Sequence, residues 1–192
     1  MRKRYKKNRN NNNVYLQRVM RVVMRLFFLC IPLLQSQTSP LPEYKIKAVF
    51  LFNFTQFVEW PDDAFNSNSD PFIIGILGTD PFGTYIDQAV AGEKVGTHPI
   101  TVVRYRSVNE INNCRLLFIN IADDDDLRSV LSSLNNRGVL TVSDMKGFAA
   151  SGGVIGFITQ NNKLRLQINI SAAKAEGLNI SSKLLSVSTI LK

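Results

Sequence analysis

The stretch that most constrains this chain is its last third, residues 139–192. Three apolar runs and two helical runs follow one another there with almost no slack. Val139–Val142 is a short apolar run; Gly152-Gly153 then breaks the chain ahead of Val154–Thr159. Asn161-Asn162 sits between that run and a third, Lys163–Ile170. Asn tolerates positive φ better than most residues, so two Asn between apolar runs predict a tight hairpin. In the third run Leu164, Leu166, Ile168 and Ile170 fall on one face and Lys163, Arg165, Gln167 and Asn169 on the other. That is the period of a strand with one buried face near a sheet edge. A helical turn over Ser171–Glu176 follows, closed by Gly177 as a left-handed cap. Ser181 or Ser182 then caps a final helix with Leu184, Leu185, Val187, Ser188 and Leu191 on one face. A hairpin feeding two helices can bury its apolar side only against earlier chain, so this segment completes a fold and does not make one alone.

Upstream, Ser39–Pro42 reads as a linker. From Glu43 the pattern is helical: Ile46, Val49, Phe50, Asn53, Phe54, Phe57 and Val58 recur at spacings of three and four until Pro61. Phe72–Leu77 is an apolar run of strand length, followed by Gly78-Thr79-Asp80-Pro81 and a short helix, Phe82–Val90. Gly92–Pro99 is a turn-rich connector, Ile100–Tyr105 a strand, and Ser107 or Asn109 opens a short helix. Leu116–Ile121 is again a strand. Asp123–Asp126 leads a helix to about Asn135, with Leu127, Val130, Leu131 and Leu134 inward. Strands thus alternate with helices from Phe72 to Val142, which predicts an α/β fold: three layers, Rossmann-like, with a mostly parallel central sheet and helices on both faces. The C-terminal hairpin supplies an antiparallel edge.

The formal charge of +8 invites a nucleic-acid reading, so its location matters. Nine of the 23 Lys and Arg lie in residues 1–38 with no acid among them, leaving 14 basic against 15 acidic residues beyond, a net of −1. The body of the chain is not basic, and the electrostatic case for nucleic acid lapses. Leu26–Leu34 is nine apolar residues behind a basic flank, too short to span a bilayer but suited to a signal-peptide core. Residues 1–38 are therefore read as a signal peptide with a long, basic, Asn-rich start, for which Met20 or Met24 offers a more ordinary beginning. Residues 39–192 form a single domain. Of the two cysteines, Cys30 lies in the signal core and Cys114 in a region predicted to be buried. An inert thiol is the simpler reading of Cys114, an intermolecular bridge the alternative.

No catalytic constellation stands out. The Gly75-x-x-Gly78 turn is not a dinucleotide fingerprint and no P-loop Lys follows it. The four aspartates Asp123–Asp126 lack the Gly and Glu of a calcium loop and suit a helix N-terminus instead. The only histidine is His98, and no Ser sits in a nucleophile elbow. Asp144 follows a strand end, where α/β enzymes often place acids; a turn hydrogen bond is its simpler role. No catalytic residue, metal ligand or cofactor is expected.

The ordered landmarks do resemble a family. Tyr44-x-x-Lys47-Ala48-x-Phe50-x-x-Asn53-Phe54-x-x-Phe57-Val58-Glu59-Trp60-Pro61 is similar to the opening helix of the YfiR-like family of exported bacterial proteins. Cys114-x-x-Leu117-Phe118-Ile119, Leu140-Thr141-Val142-Ser143-Asp144, Phe148, Gly152-Gly153, Ile168-Asn169-x-x-Ala172-Ala173 and Ser181-Ser182-Lys183-Leu184-Leu185 follow in order. The resemblance covers residues 43–192. It implies a dimeric periplasmic repressor that binds the sensor part of a membrane diguanylate cyclase of the YfiN type, or of a sensor kinase, and so restrains cyclic-di-GMP signalling and biofilm formation. The family's disulfides serve a redox response, and Cys114 matches one of its cysteines without a partner in the mature chain. A regulator needs a surface to compete for. The candidates are Trp60 and Pro61, the loop carrying Asp144, Phe148, Gly152 and Gly153, and Lys183 on the terminal helix; core packing and turn formation are the simpler reading of each alone. The alternative is a periplasmic small-molecule sensor with its ligand near the strand C-termini, around Gly78-Thr79 and Asp144.

Overall fold

A computed structural model describes residues 41–122 and 124–192. The signal peptide expected over residues 1–38, and Cys30 with it, lies outside them. The chain begins with helix α1 (Leu41–Phe57), then β1 (Val58–Glu59), a 3-10 turn at Asp62–Ala64, and β2 (Phe72–Gly78). Next come α2 (Tyr85–Val90), β3 (Lys94–Val95), β4 (His98–Tyr105), a second 3-10 turn at Val108–Glu110, and β5 (Cys114–Asn120). Helix α3 (Asp124–Leu134), β6 (Leu140–Ser143), β7 (Ile155–Gln160), β8 (Lys163–Asn169), α4 (Ile170–Ala175), β9 (Asn179–Ile180), α5 (Ser182–Ser186) and β10 (Thr189–Leu191) complete it.

Eight of the strands form one sheet in the order β10-β8-β7-β6-β5-β2-β4-β3, and β1 pairs with β9 in a separate ribbon. The five central strands β4, β2, β5, β6 and β7 are parallel; β8 turns back antiparallel to β7. Parallel strands covered on both faces read as continuous apolar runs, which is why FIIGIL and LLFINI look alike in sequence. One face carries Phe72, Ile74, Ile76, Phe118, Val142 and Ile155, under Ala48, Leu51 and Phe54 of α1 and Ile86 of α2. The other carries Leu77, Leu117 and Ile119, under Leu127 and Leu134 of α3 and under Phe148. The predicted α/β fold with its mostly parallel sheet is the one observed. The hairpin turn is also as predicted: Asn161 and Asn162 both hold positive φ, 52° and 56°.

Two expectations are corrected. The final helix does not reach Leu191: α5 ends at Ser186, and Thr189–Leu191 lies parallel beside β8. Pairing the hairpin's outer edge satisfies backbone groups that another helical turn would leave open. The second correction concerns the face of α1. The spacing points Ile46, Val49 and Phe50 inward, yet Ile46 and Val49 are 53% and 50% exposed. The buried stripe is Lys47, Ala48, Leu51, Phe54, Thr55 and Val58. This helix is apolar nearly all round, so hydrophobic spacing cannot choose a side. Two polar residues turn inward because each finds a partner there: Thr55 Oγ1 donates to the Phe52 carbonyl at 2.7 Å, and Lys47 meets an acid described next.

Candidate functional site

Tyr44 and Lys47 stand three residues apart on α1, a spacing that puts both on one side of the helix. They point to the C-terminal end of β6, where Asp144 is the first residue beyond the strand. Lys47 Nζ lies 2.6 Å from Asp144 Oδ2 and 2.7 Å from Glu43 Oε1, one turn back. The Tyr44 hydroxyl donates to the same Asp144 oxygen at 2.9 Å. The Lys47 ammonium also sits 4.4 Å from the Tyr44 ring centroid and 5.8 Å from that of Phe157. Lys47 is only 3% exposed, a position an ammonium tolerates when it is paired. Burial, then the hydrogen bond to Asp144, pushes the Tyr44 hydroxyl up to about 12. It is therefore a donor at neutral pH, not a base.

A hollow of about 420 Å³ opens beside this cluster, lined by Glu43, Tyr44, Lys47, Asp144, Lys146 and Phe157 among others. Its size suits a small ligand. Four of its polar residues, Glu43, Tyr44, Lys47 and Asp144, already pair with one another at 2.6–2.9 Å. The cluster fastens α1 to the end of the sheet. Asp144 thus acts through an ion pair and a tyrosine hydrogen bond, which corrects the expected turn hydrogen bond.

The remaining sequence candidates fall elsewhere. Trp60 and Pro61 lie at the opposite, N-terminal end of the strands, where Trp60 Nε1 donates to the Arg115 carbonyl at 3.2 Å and its ring meets Phe72 edge-on at 4.8 Å. The β1–β9 ribbon, with Ser181 N bonded to the Phe57 carbonyl at 2.9 Å, carries the chain from this corner to α5, on which Lys183 is exposed. Gly152 is exposed ahead of β7. Phe148 is revised: its small neighbours do not free the ring but let it bury, at 1% exposure. A Cβ built at Gly153 would stand 2.1 Å from that ring, so Gly153 is the floor on which Phe148 rests. These two residues hold the 144–154 connection onto the sheet.

At the other position expected for a ligand, Gly78-Thr79 at the same end of the sheet, the turn is tied to β5. Thr79 N donates to the Asn120 carbonyl at 3.0 Å and Asn120 Nδ2 to the Thr79 carbonyl at 2.8 Å. A Cβ at Gly78 would stand 2.2 Å from that Asn120 oxygen. The crevice between β2 and β5, where the strand order reverses, is thereby bridged by one backbone bond and one from the Asn120 side chain. Sequence reasoning missed Tyr44 and Lys47 as site residues. The available signal was Lys47, the second of two lysines in a largely apolar helix and the one directly followed by the apolar run from Ala48 to Phe52. Cys114 is buried, and burial pushes its thiol up to about 12, so it stays protonated.

Comparison with known proteins adds a family. A family model described as DUF4154, YfiR/HmsC-like, matches residues 44–189. No curated protein matches. Solved structures that match include the ABC domain in complex with L-Trp from Streptococcus pneumonia, at 13% identity and a TM-score of 0.46. That match covers 62% of this chain and 55% of the other, a likeness too loose to bear on function. Among the described residues no helix is long and apolar enough to cross a membrane.

Proposed function

This chain belongs to the YfiR/HmsC-like family, and from that premise we propose that it is a periplasmic, non-enzymatic regulator that restrains a membrane-bound signalling enzyme by direct contact. The target is the periplasmic sensor part of a diguanylate cyclase of the YfiN type, or of a sensor kinase, and the output is lower cyclic-di-GMP and less biofilm. In this reading residues 1–38 direct export and are removed, residues 39–192 act as one domain, and the protein works as a homodimer.

The observation that supports contact as the mechanism is the outward side of α1. Ile46 and Val49 share one face of a helix whose inner stripe is already filled, and both are half exposed. Apolar residues held in water by a rigid helix are suited to a partner's groove. Coexpression with a YfiN-type cyclase tests the reading through cellular cyclic-di-GMP. The wild type is expected to lower it, and the I46D/V49D double variant to restore it while keeping its melting temperature. Unchanged cyclic-di-GMP with wild-type protein present in the periplasm would remove the proposal.

A further inference from the structure

Arg115, the second residue of β5, is the anomaly of this molecule. Its backbone carbonyl is taken by Trp60. Its guanidinium lies over the Phe65 ring, 5.2 Å from the centroid. Nε is buried and has no hydrogen-bond partner, and among the described residues the guanidinium makes no ion pair. Other arginines are treated differently. Arg104 bonds Asp80, Asp87 and the Gly83 carbonyl, and Arg137 donates to the Ile111 carbonyl at 2.6 Å. Burial draws the Arg115 pKa down, against longer-range attraction from Asp63 and Asp70. A buried guanidinium nitrogen without an acceptor, on a side chain that is itself only half-buried, is uncommon in folded chains and leaves room for an acceptor from outside.

The surroundings supply room, and of the nearby acids among the described residues none is in ion-pair contact with Arg115: Asp63, on the hollow that Arg115 lines, acts on it only at longer range. Arg115 lines a hollow of about 410 Å³ together with Pro61, Ala64, Arg137, Glu176 and Gly177, and a second of about 190 Å³ beside Phe65. Glu176 could be its counter-ion, but both carboxylate oxygens are occupied. They accept the backbone N–H groups of Asn136, Arg137, Gly138 and Val139 at 3.0–3.4 Å. Asp70 accepts the N–H groups of Asn66 and Ser67 through one of its oxygens, Oδ2. The guanidinium thus rests on an aromatic ring, with Arg137 and the carboxylate of Asp63 on the same hollow, Asp70 on the smaller one, and apolar walls at Pro61 and Ala64.

We propose that the hollow beside Arg115 binds a small molecule bearing a carboxylate or phosphate group, whose anion pairs with the Arg115 guanidinium. The guanidinium fork matches the geometry of either anion, and the larger hollow falls within the volume range of small-ligand sites. The site lies at the opposite end of the sheet from the Asp144 cluster and does not depend on the docking face of α1.

Thermal unfolding of the purified protein tests this with inorganic phosphate and with disodium succinate, each against sodium chloride at matched ionic strength. The wild type is expected to melt several degrees higher with at least one of the two, and which one responds identifies the anion. R115Q, with folding checked by circular dichroism, is expected to lose the shift. R115K, which keeps the charge but not the fork, is expected to bind roughly tenfold more weakly. R165Q, at an exposed site on β8, keeps the wild-type response. R115M serves where R115Q fails to fold. No shift beyond sodium chloride in the wild type, or an equal shift in R115Q, overturns the proposal, and neither result touches the cyclic-di-GMP experiment.

Discussion

The cluster behind Asp144 and the hollow beside Arg115 occupy opposite ends of the same parallel strands, and they handle buried charge in opposite ways. At the C-terminal end a lysine buried to 3% exposure is held by two carboxylates and shares one of them with a tyrosine. At the N-terminal end Glu176 is committed to backbone N–H groups, Asp63 and Asp70 act on Arg115 only at longer range, and the guanidinium rests against an aromatic ring. In open α/β sheets ligands usually sit at the strand C-termini. Here that end is tied together twice, by the Asp144 cluster and by the Thr79–Asn120 exchange, while the unpartnered Nε of Arg115 lies at the other end. Position in a fold suggests where to look; satisfied hydrogen bonds decide what is available.

The sharpest way to break the comparison is Asp144→Ala. It leaves Lys47 buried with only the half-exposed Glu43, and it should cost about 3 kcal/mol, the lower end of what breaking a buried pair costs. Chemical denaturation measures it, and a loss below about 1 kcal/mol would mean that Glu43 suffices. The double variant K47M/D144L should recover most of the loss, because an apolar pair of similar volume carries no desolvation penalty. At the other end, Glu176→Ala strips the carboxylate from four N–H groups. About 2 kcal/mol is expected, since those groups are partly reachable by water.

The smallest effect is in alkali. Tyr44, Tyr105 and Cys114 each ionise near 12 in the folded chain, all raised first by burial, against ordinary values of 10, 10 and 9. Folding holds these protons more tightly than the unfolded chain does. Their contribution is intact below about pH 9 and is lost as pH rises toward 12. Tyr44→Phe should flatten only part of that decline, visible as a shallower fall in melting temperature between pH 10 and 11.5. An identical profile would assign the decline to Tyr105 and Cys114.

How much of this was readable beforehand varies with distance along the chain. Strands such as Phe72–Gly78 and the hairpin at Asn161-Asn162 declare themselves in a few neighbouring residues, through unbroken apolar runs and a loop that wants positive φ. The orientation of α1 does not, because an apolar surface on every side leaves spacing nothing to discriminate. Asp144 could be singled out by its place after a strand, but its partners lie 97 and 100 residues earlier. Arg115 drew no notice, since one arginine in an apolar run looks like any surface residue until its surroundings are known. The strand at Thr189–Leu191 was hidden by leucines that fit a helix equally well; what decides is the unpaired edge of β8.

The long reach of those contacts has a consequence for biogenesis. Helix α1 is synthesised before everything that shelters it: its polar anchor arrives with Asp144, its aromatic neighbour with Phe157, and its ribbon partner with Asn179, 120 residues after Glu59. A chain of this order cannot settle piece by piece as it emerges. Phe82 and Tyr85 reach the helix early, but part of its apolar surface stays uncovered until the later strands appear, an interval in which sticking to other chains is a hazard.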